Sequence, residues 1–379
     1  MSDWDPILKG LLDHMLKVDA SDLYITADSA PVFRISGVGH AGRATLPADR
    51  IDAMAQSIMT EAQNNEFREK LEMNLALAND SGGRFRANIF RQRGATGMVF
   101  RLVRTEIKTL EELKLPPALA DIMHSKRGLV LLVGATGSGK STTLAAMIDH
   151  RNRSESGHII TVEDPIEFMH SHQKCVVTQR EVGIDTRSYH DALKNTLRQA
   201  PDVILIGEIR DAETMEHAIA FAETGHLCLS TLHANNANQA IERILNFFPP
   251  SRHHEIKLQL SLNLRGIVSQ RLVRAEGGGR AAALEILIDT PRVKDLIKRG
   301  EIEAIKDAME QGGQEGCQTF DGALYDLVAA GRINEADALR AADSPNNLRL
   351  RLDRLRQVGA EDENVLRLVE KPKLKAVRA

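Results

Sequence analysis

Residues 129–141 read LVLLVGATGSGKS. Five aliphatic residues in succession are expected of a strand buried on both faces of a parallel sheet. The loop behind them matches G-x-x-x-x-G-K-[ST]. Its glycines let the backbone curl until its N–H groups point at phosphate oxygens, and the helix that follows adds its positive end. Gly134, Ala135, Thr136, Gly137, Ser138, Gly139, Lys140, Ser141 and Thr142 are therefore the expected nucleotide-binding residues, with ATP as the cofactor. Lys140 would reach the β- and γ-phosphates and Ser141 would ligate Mg²⁺. The alternative is a glycine-rich turn that happens to carry a lysine. A strand before, a helix after and every fixed position in place weigh against it.

The same texture recurs. Aliphatic runs at 158–162, 203–206 and 227–232 alternate with helical stretches, the pattern of an α/β domain. From Ile256 onwards the chain reads mostly helical, with Gly277-Gly278-Gly279 as a flexible turn before the strand-like 283–287. Ahead of the phosphate loop the texture is different. Apolar spacing predicts a helix over 7–17, a hairpin from 22–26 and 32–35, helices at 47–60 and 63–71, and strands at 84–92 and 97–103. That is an α+β domain over residues 1–105. The charged stretch 106–117, ending in Pro116-Pro117, is the expected linker. The ATPase domain with its C-terminal helices is expected over 118–348, and 349–379 is a tail with nine Lys/Arg against five Asp/Glu.

Composition removes several function classes. Lys+Arg 49 against Asp+Glu 52 leaves a net charge of -3, so whole-protein charge does not drive polyanion binding. Aromatics at 4% are too sparse for base-stacking platforms, and no nucleic-acid partner is expected. Cys175, Cys228 and Cys317 are far apart, which excludes a disulfide framework and a four-cysteine zinc site. The acidic N-terminus lacks a signal-peptide pattern and no apolar run approaches 18 residues, so the expectation is a cytoplasmic chain with no direct membrane insertion.

Three further motifs carry chemistry. In 159–167, IITVEDPIE, acidic residues stand at a strand's C-terminal end, the edge where open α/β sheets bind ligands. A carboxylate there can orient or deprotonate the attacking water; the alternative is acidic caps on a solvated loop. In 202–211, DVILIGEIRD, Gly207-Glu208 stands where such ATPases usually place a magnesium-holding Asp, and Asp211 reads as a helix cap. In 224–235, TGHLCLSTLHAN, a strand is framed by His226 and His233: Thr224-Gly225-His226 before it and His233 after it. His233 is on the nucleotide side and suits sensing of the γ-phosphate. His226 is at the remote end, with a packed or capping role as its alternative.

These four motifs in this order resemble the bacterial type IV pilus and type II secretion ATPases, with their Walker A loop, acidic box, atypical Walker B and histidine box. The resemblance implies Glu163 as catalytic base, Glu208 as the Walker B glutamate and magnesium ligand, and His226 and His233 as the histidine-box pair. Within that family the chain is most similar to the PilT/PilU pilus-retraction ATPases. The carriers are ASDLY at 20–24, GRFRAN at 83–88, LRGIVSQRL at 264–272, TFD at 319–321 and ADSPN at 342–346. Where PilT-type motors read AIRNLIRE, this chain reads RVKDLIKR at 292–299, which together with the basic tail points to the PilU-like branch. The resemblance implies a PAS-like N-terminal domain before a RecA-like P-loop ATPase domain, and assembly as a homo-hexamer. Its implied partners are a PilT-like retraction ATPase and the inner-membrane pilus platform protein, with peripheral association at that membrane. It also implies arginines reaching a neighbouring subunit's nucleotide. Arg84, Arg86, Arg91 and Arg101 are the candidates because they lie on the two strands nearest the linker. The rival readings are a pilus-extension or secretion assembly ATPase and a RecA-like nucleic-acid motor.

Overall fold

A computed structural model describes residues 4–35, 37–103, 106–313 and 316–356; the tail expected over 349–379 lies outside the described residues from 357. The chain forms an α/β protein of two compact units. The first comprises residues 1–107 together with 164–171 and 180–188, and the second holds the remainder.

The first unit is built on a six-stranded sheet in the order β3-β2-β1-β6-β5-β4, antiparallel throughout. Its strands are β1 (Asp22–Thr26), β2 (Val32–Ile35), β3 (Val38–Ala41), β4 (Glu72–Ala78), β5 (Arg84–Gln92) and β6 (Ala95–Val103). Helices α1 (Pro6–Lys17), α2 (Ala48–Ser57) and α3 (Glu61–Lys70) complete it. Leu8, Leu12 and Met15 of α1 join Ile51 and Met54 of α2 in a core with Phe85, Ile89, Met98 and Phe100 of the sheet. Asp5 caps α1, and Thr60 with Gln63 forms a capping box at α3. Sequence patterning misses β3 and β4. The segment EMNLALA consists largely of good helix formers, yet Met73 and Leu75 point inward as alternating residues of an edge strand.

The second unit carries a seven-stranded mixed sheet, β13-β12-β7-β11-β10-β8-β9. Strands β7 (Gly128–Val133), β8 (Gly157–Glu163), β10 (Val203–Ile206) and β11 (Leu227–Leu232) run parallel in the order β7-β11-β10-β8. All six residues of β7 are buried, as the aliphatic run predicts. The remaining strand between them in sequence is β9 (Cys175–Glu181). Beyond Ile256 the chain is largely helical, as expected, and the strand-like 283–287 lies within a hairpin. The long hairpin of β12 (Leu264–Arg274) and β13 (Arg280–Ile288) extends the sheet, turning at three glycines with positive φ. Most residues of β12 are buried, so its alternation is weak in sequence, whereas the aliphatic 283–287 of β13 is the part that reads as strand-like.

Helices of this unit are α4 (Ala118–Met123), α5 (Lys140–Ser154), α6 (Tyr189–Thr196), α7 (Ala212–Glu223), α8 (Ala237–Leu245) and α9 (His253–Asn263). The C-terminal helices α10 (Pro291–Arg299), α11 (Ile305–Gln311), α12 (Phe320–Ala329) and α13 (Glu335–Ala341) follow. Phe320 and Leu324 of α12 are buried with Ala283 of β13 and with Leu348 and Leu352 from the helical stretch 345–356. In the stretch 106–117, Leu110 and Leu115 are buried in the second unit's core.

Candidate nucleotide and catalytic site

Strand order assembles the site. Because β7, β11, β10 and β8 are parallel neighbours, the four motifs that follow them emerge at one edge of one sheet. Neighbouring strands lie about 4.8 Å apart, so the row from the phosphate loop to Glu163 spans about 14 Å.

The phosphate loop leaves β7 at Gly134, whose φ is +151°. A Cβ there would stand 2.6 Å from both Gln270 O and Ser138 Oγ. Gly139, at φ +90°, is the N-cap of α5, and a Cβ on it would meet Gln270 Nε2 at 2.8 Å. Glycine is thus required by close approach as well as by φ. Lys140 Nζ donates to Gly134 O at 2.8 Å and Ala135 O at 3.0 Å, which places the ammonium inside the loop. Ser138 is only 7% exposed, and its hydroxyl is buried with no hydrogen-bond partner among the described residues. A hydroxyl in that condition, in a glycine-rich loop just before the N-terminus of α5, fits an anionic oxygen ligand. Ser141 and Thr142 follow in the first turn of α5, where the helix dipole favours phosphate. A cavity of about 330 Å³ adjoins the loop and is lined by 134–138, Asn235, Gln270, Arg271, Leu272 and Arg280.

Along the same edge, Glu163 ends β8. It accepts from Thr161 Oγ1 at 2.6 Å and from Gln179 Nε2 at 3.2 Å. Gly207 lies beside it: a Cβ there would come within 3.2 Å of Glu163 Cα. Glu208 follows β10 and is 17% exposed at its side chain, with Arg210 Nε on one carboxylate oxygen at 2.6 Å and His233 Nε2 2.9 Å from the other. Thr231 Oγ1 donates to Gly207 O at 2.7 Å, tying the turn that carries Glu208 to β11. Asp211 caps α7 through Thr214 N, as the sequence suggests.

His226 is not brought to this group. It precedes β11 at the opposite edge of the sheet, about 23 Å from His233 along an extended strand. There its Nδ1 lies 3.2 Å from Phe221 O and 3.1 Å from Thr224 Oγ1, closing the end of α7. The four arginines belong to the first unit. Arg86 pairs with Glu181, Arg91 with Asp52 at 3.1 Å, and Arg101 with Asp22 at 2.8 Å, while Arg84 is exposed at the head of β5. Arg86 and Arg101 are cross-strand neighbours.

Three contributors escape motif reading. Thr143 Oγ1 donates to Gln270 Oε1 at 2.7 Å, joining α5 to β12 directly behind the phosphate loop. Glu285 of β13 is buried and accepts from Ala237 N at 2.8 Å and Ser269 Oγ at 2.9 Å, anchoring the start of α8 next to Asn235. Burial pushes its carboxyl above the usual carboxylate range, against those two hydrogen bonds. Such partners lie far away in sequence, and no local signal marks them.

Comparison with known proteins now decides the lineage. The signature of the type II/IV secretion system protein family matches residues 5–326. The chain belongs to that family. It is 52% identical over 355 residues to the type IV pilus ATPase PilU of Pseudomonas aeruginosa, covering 93% of this chain and 92% of the relative. It is 41% identical to PilT of the same organism, a type IV pilus retraction ATPase, over 89% of this chain and 98% of the relative. Among solved structures, the pilus retraction motor PilT with bound ADP superposes with a TM-score of 0.83 at 40% identity, covering 90% of this chain and 98% of the other. The family therefore accounts for nearly the whole chain, with both units included.

Proposed function

We propose that this chain is a hexameric ATPase of type IV pilus retraction, of the PilU-like accessory kind, acting with a PilT-like ATPase at the pilus platform of the inner membrane. The observation that carries the reading is the row of four motifs along one sheet edge, on a chain 52% identical to PilU. The first unit is read as a PAS-like domain, the second as a RecA-like ATPase domain.

ATP lies with its phosphates in the loop 134–142. Lys140 turns from the loop carbonyls to the β- and γ-phosphates as these arrive. Ser141 and Glu208 are the residues that would hold Mg²⁺, which when bound neutralises charge developing on the phosphoryl group. Glu163 orients the attacking water and takes its proton. His233, resting against Glu208, senses the γ-phosphate. His226 acts from the far edge by positioning α7 against β11. Arginines of the first unit, Arg84 foremost because it is exposed, complete a neighbouring subunit's site; Arg86, Arg91 and Arg101 must first exchange their acidic partners. Closure about the 106–117 stretch couples nucleotide state to ring shape.

The deciding experiment is the ATPase rate of the purified full chain alone and mixed with a PilT-like partner. Turnover that rises markedly only in the mixture is expected. Full turnover alone, unchanged by the partner, would make the chain an independent motor.

A further inference from the structure

Outside the nucleotide site, one cluster among the described residues brings together side chains of a recognised ligand chemistry. Glu213 and His217 stand one turn apart on α7, so they project from the same helix face. His190, near the start of α6, meets them across the helix pair, with Nδ1 against a Glu213 carboxylate oxygen. One ligand atom from each residue can be chosen so that all lie within 4.8 Å of one another. The His190 and His217 ring centroids are 6.1 Å apart, and His217 is held by stacking on Phe221.

We propose that His190, Glu213 and His217 bind a zinc-class divalent transition-metal ion. Two imidazole nitrogens and one carboxylate oxygen suit Zn²⁺ rather than the oxygen-only preference of Mg²⁺, and they leave a fourth position for water. Ligand atoms about 2.0–2.1 Å from a tetrahedral ion stand about 3.3 Å from one another. Binding would therefore require side-chain adjustment from the present spacing, at which the three ligand atoms lie within 4.8 Å of one another. The adjacent cation Arg252 is engaged by Glu216 and Glu255. An ion here would brace α6 to α7, the helices flanking β10 in sequence, whose end carries Glu208.

The test uses tag-free full chain without nucleotide, in excess Mg²⁺ so that hard-oxygen sites are saturated. Zn²⁺ affinity is read by competition with a chromophoric chelator, and Co²⁺ substitution by visible absorption. We expect one ion per chain, intense four-coordinate Co²⁺ bands, and a loss of at least about tenfold in affinity in His190→Ala and in His217→Ala. His40→Ala, on the exposed strand β3, should bind as the wild type does. If His217→Ala fails to fold for want of its stack on Phe221, His190→Ala and Glu213→Gln make the same comparison. No saturable Zn²⁺ binding by the wild type, or wild-type affinity in His190→Ala, overturns the proposal.

Discussion

His233 Nε2 lies 2.9 Å from one carboxylate oxygen of Glu208 while Arg210 Nε holds the other at 2.6 Å. A glutamate so gripped presents a fixed face to the nucleotide edge, and the histidine is the member of the trio on the strand nearest the phosphate loop. His233→Ala is expected to lower kcat by about tenfold or more, the range for losing one preorganised charge partner, with ATP affinity changed much less. Steady-state turnover alongside fluorescent-nucleotide titration separates the two effects. Equal losses in both would recast His233 as a binding group.

Lys140 is at present satisfied by two loop carbonyls. Lys140→Ala therefore leaves those carbonyls to water and costs little stability, yet deprives the triphosphate of its cation. Turnover should become undetectable while the thermal midpoint moves by no more than a few degrees, as scanning fluorimetry would record. A large drop in the midpoint would mean that the ammonium is part of the fold.

Glu163 and Glu208 end neighbouring strands and invite confusion of role. Glu163→Gln should bind ATP normally and lose turnover by about a hundredfold or more, as expected for removal of a general base. Glu208→Gln should instead raise the Mg²⁺ concentration needed for half-maximal rate. Wild-type turnover in Glu163→Gln would move the base elsewhere, with Glu208 first in line because its strand is closer to the phosphate loop.

Two glycines of the same loop should differ. At Gly134 an added Cβ meets Gln270 O at 2.6 Å, whereas at Gly137, φ +77°, it meets nothing within 4 Å. Gly137→Ala then carries only left-handed strain, about 1 kcal/mol. Gly134→Ala must in addition displace the β12 backbone, and should lose nucleotide binding. Chemical denaturation with nucleotide titration checks both, and similar behaviour of the two variants would contradict the close approach.

Glu285 offers a pH test. Burial raises its carboxyl pKa in the folded state, so its contribution to stability is complete below the ordinary carboxylate value and is lost as pH rises through the raised one. Glu285→Gln keeps acceptors for Ala237 N and Ser269 Oγ without the charge. The variant should match the wild type near pH 4 and gain on it towards neutrality, as thermal midpoints across that range would reveal. A gap independent of pH would mean that folding leaves the Glu285 carboxyl pKa where it stands in the unfolded chain.

The nucleotide edge was legible because its signals are local. Aliphatic runs announce β7, β8, β10 and β11, and glycines of positive φ mark the loop. What surrounds it was not. Gln270 reaches Thr143 from 127 residues away, and nothing near either residue in sequence foretells the other. Strand β4 hid behind helix-forming residues, because pairing with β5 outweighs a weak intrinsic preference. The placement of His226 and His233 was legible for the same local reason: the strand between them sets them at opposite edges.

The composition of the first unit has a consequence for anyone who would transplant it. Its chain is not one stretch but three, since 164–171 and 180–188 cluster with residues 1–107. A fragment cut at residue 107 would strand Arg86 without Glu181, leaving a guanidinium with its anion deleted. Shuffling this module between relatives would therefore require carrying two short loops along with it, so the boundary that looks clean in sequence is a poor place to splice.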